Sequence, residues 1–272
     1  MKRQENNSTF LVLTAVLVSL VLGMLTTTAQ AALVGYWNFN ETSGNALDSS
    51  GNGFTGTLTG PASRIAGPSG FGNAMSFGYH GYVDITNSAT SSLNLLDTNY
   101  TITFWVKSNS SPSDVGALVS KNSGTDGYAV RYFQTAEAGY DYGKISTRAN
   151  TENWYVTTPV GQNEWDYFSV VVYKAGVLAE RAVQELYKNG VLVNAFYSNT
   201  LLESADNLTF GNGLQQQGAG WTFDGSLDEI RIYDEALSVT AIQSLMTPVP
   251  EPAATTLLVL GAITLLCHRK KK

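Results

Sequence analysis

The stretch Gly225–Tyr233, GSLDEIRIY, places two carboxylates side by side in an apolar run. Two neighbouring carboxylates could act as a general acid and base, or they could hold a metal ion. In a strand, successive side chains point to opposite faces. We therefore expect Asp228 to share a face with Ile230 and Ile232, and Glu229 to point away unless a bulge rotates one of them. The spacing argues against a catalytic pair and leaves an acid on an aliphatic face, where an unpaired charge is costly.

Other arrangements of catalytic residues have little support in the sequence. Asp224 and Asp228 have the spacing that puts two carboxylates on one face of a strand, but Gly225 and Ser226 between them indicate a turn. His80 is the one histidine outside the C-terminal tail, and no Asp or Glu lies within three residues of it. The chain also lacks a Cys and His cluster for zinc and a glycine loop for phosphate. We predict no catalytic residues and no enzymatic activity.

The N-terminal end has the order of a secretory signal peptide. Lys2 and Arg3 precede an apolar run at 10–25, and the small residues Ala29 and Ala31 follow it. This order predicts a signal peptide at residues 1–31, cleaved after Ala31. An uncleaved membrane anchor is the alternative, but the apolar run is short for a span. We expect the protein to be exported.

The C-terminal end, residues 248–272, has three parts. It begins with the motif Val249, Pro250, Glu251 and Pro252. An apolar segment at 253–267 and a basic tail at 268–272 follow. A helix over the apolar segment rises about 22 Å, and snorkelling lysines or local thinning let it cross a hydrocarbon core of about 30 Å.

This three-part order resembles the PEP-CTERM sorting signal. The resemblance implies a transmembrane anchor and later processing by an exosortase-type membrane enzyme. It places the mature protein at the cell surface or in the extracellular matrix of a bacterium that makes extracellular polysaccharide. A plain C-terminal membrane anchor is the alternative.

The segment between the two ends, residues 32–247, is long enough for one all-β domain with a substantial core. Six of the 16 Lys and Arg and two of the 22 Asp and Glu lie in the ends, which leaves 10 basic and 20 acidic residues, a net charge of −10. This charge argues against nucleic acid as a partner. The single cysteine, Cys267, lies in the C-terminal segment, so the domain has no disulfide.

Local patterns in this segment predict strands almost throughout. Apolar and polar residues alternate at 100–107, and 165–173 is rich in valine and aromatic residues. The pair Asn189-Gly190 between two strand-like runs predicts a hairpin with a two-residue turn. Ser238 is expected to cap one short helix. Short strands separated by Gly, Asn and Ser turns predict a two-sheet antiparallel sandwich.

Eight motifs occur in order along this segment, at 35–41, 48–53, 72–77, 82–85, 101–107, 118–121, 165–172 and 223–238. In this order they resemble a LamG-like (concanavalin A-like) jelly roll. The resemblance implies a jelly-roll sandwich and, near the closing Asp, a structural calcium ion bound beside the opening loop.

The opening loop supports the calcium prediction chemically. It spaces three oxygen-bearing side chains at alternate positions before a turn glycine, as a calcium loop begins. Asn40 stands where the family usually has an Asp, so it would be a neutral ligand. The alternative is a hydrogen-bonded turn without an ion, with Asp228 bonded to backbone N–H groups. The predicted calcium ligands are Asp48, Asn52, Asp228 and Asn40.

A sugar site on a β-sandwich combines an aromatic platform with amide or carboxylate groups. Trp37 and Trp105 lie in strand-like segments and are expected in the core. The candidate binding residues lie in polar, loop-rich sequence and are Tyr140, Tyr142, Trp154, Tyr155 and Trp221. We predict a non-catalytic module that binds glycan or has a structural role in the extracellular polysaccharide matrix. The alternatives are a protein-adhesion domain without a sugar site and, third, a glycoside hydrolase.

Overall fold

The computed structural model describes residues 32–86, 91–95, 98–109, 115–122, 126–133, 143–149, 155–174, 181–199, 203–212 and 222–248. The predicted signal peptide and sorting motif, including Ala29, Ala31 and the stretch 249–252, lie outside these residues. Among the described residues, no helix has the length and apolar composition needed to cross a membrane.

The described residues form fifteen strands and one α-helix. In chain order the strands are β1 (Leu33–Trp37), β2 (Thr57–Thr59), β3 (Ala62–Ala66), β4 (Asn73–Phe77), β5 (Tyr82–Ile85), β6 (Tyr100–Ser108), β7 (Val115–Asn122), β8 (Gly127–Phe133), β9 (Lys144–Ala149), β10 (Tyr155–Pro159), β11 (Asp166–Tyr173), β12 (Arg181–Lys188), β13 (Val191–Asn199), β14 (Leu208–Phe210) and β15 (Gly225–Tyr233). The helix α1 spans Val239–Leu245, and a single 3₁₀ turn spans Ser92–Asn94.

The strands form two antiparallel sheets. Sheet 1 has eight strands in the order β13-β12-β11-β6-β15-β4-β3, and β1 pairs with the second half of β15. Sheet 2 has seven strands in the order β10-β9-β8-β7-β14-β5-β2. Strands that are far apart in the chain, such as β6 and β15, lie side by side. This arrangement confirms the predicted all-β sandwich of two antiparallel sheets.

The core lies between the two sheets and follows the alternation along each strand. In β6, Ile102, Phe104 and Val106 belong to the core cluster, as their spacing predicts. Trp37 is fully buried in the same cluster. Its indole Nε1 donates a hydrogen bond to the Phe54 carbonyl at 2.8 Å, so the polar atom of this large side chain is satisfied. Trp37 therefore lies in the core, as the sequence predicts.

Two local predictions, the β12–β13 hairpin and the capped helix, are confirmed by backbone geometry. Asn189 and Gly190 have φ angles of 50° and 73° and form a two-residue turn, with Lys188 paired to Val191. Ser238 is the N-cap of α1, and its hydroxyl accepts a hydrogen bond from the Ala241 N–H at 3.3 Å.

β15 contains a bulge at Glu229 that changes which side chains face the core. The register against β6 shifts between Asp228 and Arg231, and Glu229 has a φ angle of 53°. Ile230 lies in the core cluster, as do Leu227 and Ile232. Asp228 instead pairs with Trp105 on the opposite face of sheet 1. The prediction that Asp228 shares a face with Ile230 and Ile232 is therefore wrong, because the extra residue in the bulge reverses the alternation.

We call the side of sheet 1 that points away from sheet 2 the outer face. The segment 234–248 runs over part of it: the Thr101 hydroxyl donates to the Glu235 carbonyl at 2.7 Å and accepts from the Leu237 N–H at 2.9 Å. Trp105 lies on this face, with ring centroids 5.7 Å from Phe71 and 5.1 Å from Tyr167. The expectation that Trp105 belongs to the core between the sheets is wrong, because its position in β6 is one of the outward-facing ones.

Candidate functional site

Three side chains on the outer face form a charged cluster at the junction of β1 and β15. The register places Tyr36 opposite Arg231, and the bulge turns Glu229 toward both. The Tyr36 hydroxyl lies 2.8 and 3.0 Å from the two carboxylate oxygens of Glu229. The Arg231 guanidinium forms an ion pair with Glu229, donates to the Tyr36 hydroxyl at 3.0 Å and lies 4.2 Å from the centre of the Tyr36 ring.

Burial controls the protonation of this cluster. It raises the pKa of the Tyr36 hydroxyl, so the phenol stays neutral and able to donate a hydrogen bond. Burial, the largest effect, lowers the pKa of Arg231, but Glu229 together with Tyr36, Tyr167 and Tyr233 outweighs it, and the pKa is raised. The guanidinium therefore stays charged, and the cluster presents fixed donors and acceptors.

The cluster lies at the base of a cleft with a volume of about 270 Å³. On the sheet side the cleft is lined by Tyr36, Asn38, Asn40, Phe71, Glu229 and Arg231. The end of α1 forms the opposite wall through Ser244 and Leu245. Small-molecule sites have volumes from about 300 Å³ upward, so this cleft is near the lower end of that range and has room for a small ligand only.

Beside the cleft, the outer face carries a layer of buried polar atoms, several of which have no hydrogen-bond partner among the described residues. The atoms without a partner are Trp105 Nε1, Ser169 Oγ, Asp228 Oδ2 and Arg231 Nη1, whereas the Thr103 and Tyr167 side chains form a hydrogen bond with each other. The register places them in two rows across β11, β6 and β15, with Trp105 central in one row and Thr103 in the other. An unsatisfied buried polar group costs about 1–3 kcal/mol, so these atoms reduce the stability of the sheet, and they are enclosed and out of reach of a ligand.

Asp228 belongs to this layer but is closed off from the cleft. Its Oδ1 accepts a hydrogen bond from the Glu229 N–H at 2.7 Å, and the side chain is fully buried. A Cβ atom added to Gly67 would lie 2.8 Å from Oδ2, which shows how closely the turn at 67–72 covers it. Burial, reinforced by the charge of Glu229, raises the pKa of Asp228 to about 9, so the carboxyl is neutral at pH 7.

The predicted calcium loop has a different set of contacts. Asp48 Oδ1 accepts from the N–H groups of Tyr36 and Ser50 at 3.0 and 2.9 Å, and Oδ2 accepts from the Phe54 N–H at 3.0 Å. The Asn52 amide donates to the carbonyls of Leu33 and Val34, both at 2.9 Å. The loop therefore satisfies the edge of β1 that faces away from β15, as protection of an edge strand requires.

The other two predicted calcium ligands lie near the turn at 67–72. The Asn40 amide donates to the Phe71 carbonyl at 3.1 Å and accepts from the Asn73 N–H at 2.7 Å. No contact joins Asn40 or Asp228 to Asp48 in the described part of the chain, and no group of three or more acidic, histidine or cysteine residues there could hold a metal ion. Calcium binding by these four residues stays a prediction from the sequence.

The predicted aromatic binding residues Tyr140, Tyr142, Trp154 and Trp221 lie outside the described residues. Tyr155 begins β10, where its backbone pairs with Thr147, and its side chain is likewise outside the description.

The cleft residues Tyr36, Phe71 and Arg231 were not predicted as site residues. Tyr36 and Arg231 meet through a pairing between the first and last strands, and Phe71 reaches the cleft from a turn. The nearest indication in the sequence is the adjacent pair Asp228 and Glu229, because a bulge at this point is the condition that turns both side chains to the outer face.

A family model described as the concanavalin A-like lectin/glucanases superfamily matches residues 77–243. No curated protein matches the chain by sequence. Among solved structures, the chain is similar to domain 4 of AbnA, an extracellular arabinanase of family GH43 from Geobacillus stearothermophilus, which was solved in complex with arabinotriose. The two share 17% identity and a TM-score of 0.57, over 80% of this chain and 99% of that one.

Two further structures are similar over part of their own length. A Trypanosoma rangeli sialidase has 13% identity and a TM-score of 0.57, over 79% of this chain and 32% of that one. Botulinum neurotoxin type C, in a structure described by its interaction with two ganglioside molecules, has 14% identity and a TM-score of 0.55, over 79% and 50%. At these identities the likeness is one of fold.

Proposed function

Because the chain belongs to the concanavalin A-like lectin/glucanases superfamily, we propose that it is a non-catalytic glycan-binding module whose pocket is the cleft between β1, β15 and the end of α1. The observation that carries the proposal is the composition of this cleft. Aromatic rings, two amides and an ion pair converge on a space of about 270 Å³. Sugar-binding sites need this combination of apolar surface and precisely placed polar groups.

Each part of the cleft matches one part of a sugar ring. The C–H face of a sugar can pack on Phe71, and its hydroxyls can bond to the amides of Asn38 and Asn40. The Glu229–Arg231 pair offers both an acceptor and a donor, held in place by the Tyr36 hydroxyl. Because these groups are already fixed by one another, little side-chain entropy is lost on binding.

The described relatives support a glycan ligand at the level of fold. One was solved with arabinotriose and another is described by its interaction with gangliosides. This support is an analogy between folds, so the cleft itself has to carry the proposal for this chain.

The geometry favours binding over hydrolysis. A glycosidase needs two carboxyl groups that both reach the scissile bond. The bulge brings Asp228 and Glu229 to the same side of the sheet, but Asp228 is enclosed by the turn at 67–72, and Glu229 is engaged by Arg231 and Tyr36. One carboxyl group is thus enclosed and the other is already engaged, which supports a binding role for this pair.

In this proposal the domain acts outside the cell. The signal peptide at 1–31 would direct export, and the C-terminal segment would anchor the chain until an exosortase-type enzyme processes it. Glycan binding by the domain would then hold the protein in the extracellular polysaccharide or on a surface glycan. Mass spectrometry of exported protein in its host should find Lys272 missing, and an intact C-terminus would contradict this part of the proposal.

The binding proposal is tested with a glycan array, followed by calorimetric titration of the best ligand. Asn38→Ala removes one amide from the cleft and should weaken binding about tenfold, since a lost hydrogen bond to a ligand costs on the order of 1 kcal/mol. Asn45→Ala changes an exposed amide outside the cleft and should leave the affinity unchanged. Equal affinities for the two variants would contradict the cleft as the binding site. A protein that binds no glycan on the array but retains a protein partner would support the adhesion alternative.

A further inference from the structure

The outer face of sheet 1 carries a row of exposed side chains at the end of the strands away from α1. Tyr173 in β11 pairs with Val183 in β12, and Val183 pairs with Tyr197 in β13. Residues that are directly opposite in antiparallel strands point to the same side of the sheet. Tyr173 is 37% exposed and Tyr197 is 64% exposed, so these two are among the most exposed aromatic residues of the described chain.

The sheet fixes the spacing of this row. Neighbouring strands lie about 4.8 Å apart, so the two tyrosines on either side of Val183 are roughly 10 Å apart at their backbones. Glu185, two residues from Val183 on the same face, accepts a hydrogen bond from the Tyr187 hydroxyl at 2.7 Å and lies 3.3 Å from the Tyr173 hydroxyl. The Tyr173 ring is therefore held by a carboxylate beside the apolar row.

A polar side chain borders the row on the β6 side. Asn99, which is exposed, continues the strand direction of β6 next to Tyr173, and its amide oxygen accepts from the Lys174 N–H at 2.7 Å. The row thus has an aromatic ring on either side of Val183, with an amide and a carboxylate beside it. This composition differs from that of the buried core and matches a surface for polyhydroxylated ligands.

We propose that Tyr173, Val183 and Tyr197 form a flat platform that binds an extended, neutral polysaccharide chain, with two of its sugar rings stacked on the two tyrosines. The platform is an open sheet surface, so it fits the side of a chain and not a chain end. The net charge of −10 over residues 32–247 disfavours anionic polysaccharides. This inference rests on the proposed glycan-binding function but uses a surface separate from the cleft.

The test is native affinity electrophoresis of the purified protein in gels that contain arabinan or hydroxyethyl cellulose, with alginate as the anionic comparison. Tyr197→Ala and Tyr173→Ala should each weaken retention by the neutral polysaccharide about tenfold, as truncation of an aromatic contact residue does in other interfaces. Tyr79→Ala is the matched control, because Tyr79 is 63% exposed but lies in the turn between β4 and β5. Both platform tyrosines are surface residues, and an unchanged melting temperature will show that the variants fold.

The outcomes separate the platform from the cleft. Loss of retention in the two platform variants, with Tyr79→Ala and Asn38→Ala still retained, supports the platform. Retention that falls only in Asn38→Ala overturns the platform and leaves the proposed function standing. If wild-type protein is retained by no polysaccharide and binds no array glycan, the proposed function fails together with the platform. If Tyr197→Ala instead turns a dimer into a monomer without changing retention, the row is an interface between two copies and the platform is overturned.

Discussion

The Glu229–Arg231 ion pair should dominate the stability of the cleft, and Glu229→Gln tests this directly. The two side chains are 3% and 12% exposed, so solvent screens their attraction only weakly. Glutamine keeps the size of the side chain and an acceptor for the Tyr36 hydroxyl, but it leaves a buried guanidinium without its counter-charge. Removing one partner of a buried pair costs about 3–5 kcal/mol.

This loss is large enough to measure by urea unfolding followed through tryptophan fluorescence. For a chain of this size it corresponds to a fall in the melting temperature of roughly 10 °C. The control is Glu164→Gln, at an exposed position outside the cleft, which should change the free energy of unfolding by less than about 0.5 kcal/mol.

A second variant tests the reason for the loss. Adding Arg231→Met to Glu229→Gln removes the uncompensated charge, so the double variant should regain part of the lost stability. A cost below about 1 kcal/mol for Glu229→Gln alone, or a double variant less stable than either single variant, would refute the argument that the pair is buried and mutually dependent.

Three further predictions follow from named contacts. In the folded protein the pKa of Asp228 is raised to about 9 from a usual value of 3.8, so its contribution to stability is complete at low pH and is lost as the pH rises toward 9. Asp228→Asn should flatten this dependence of the free energy of unfolding on pH, measured by denaturant titration at several pH values. An unchanged slope would contradict the prediction. Gly190→Val should destabilise the protein by about 1–3 kcal/mol, because Gly190 has a φ angle of 73° and a Cβ there would meet α1. Gly44→Ala is the comparison: Gly44 has a φ angle of 79° and no atom within 4 Å of the added Cβ, so its loss of stability measures the backbone strain alone. Equal losses of stability in the two variants would mean that the contact with α1 is unimportant. Asp48→Ala should destabilise the protein by about 1–3 kcal/mol through the loss of its N–H partners in the opening loop, and a free energy of unfolding equal to that of the wild type would contradict this. A fall of several degrees in the wild-type melting temperature on chelation that added calcium reverses would support the calcium site predicted from the sequence.

The features predictable from the sequence are those that depend on neighbours in the chain. Alternation along β6, the positive φ angles at Asn189-Gly190 and the cap at Ser238 are each set by a few adjacent residues, and the structure agrees with all three. The ordered motifs of the jelly roll also predicted the two-sheet architecture, because each motif marks one strand or turn.

The cleft was not predictable because it depends on contacts between distant segments. Tyr36 and Arg231 are 195 positions apart and meet only when β1 pairs with β15. The face of Asp228 was predicted wrongly for a local reason: the bulge at Glu229 adds one residue, and a shift of one residue exchanges the two faces of a strand. The spacing in the opening loop resembles that of calcium ligands, and the same side chains also bond to the backbone of β1, where Asp48 accepts from the Tyr36 N–H and Asn52 donates to the Leu33 and Val34 carbonyls.

Mapping the bound glycan onto the protein by NMR tests the central claim most directly. Titration of the best array ligand into isotope-labelled protein should shift the backbone amide signals of Tyr36, Asn38, Phe71 and Arg231, which surround the cleft, and should leave those in β8 and β9 of sheet 2 unchanged. Shifts confined to sheet 2, or a ligand that binds with the same affinity when the cleft is altered by Asn38→Ala, would contradict the assignment of the cleft as the glycan-binding site.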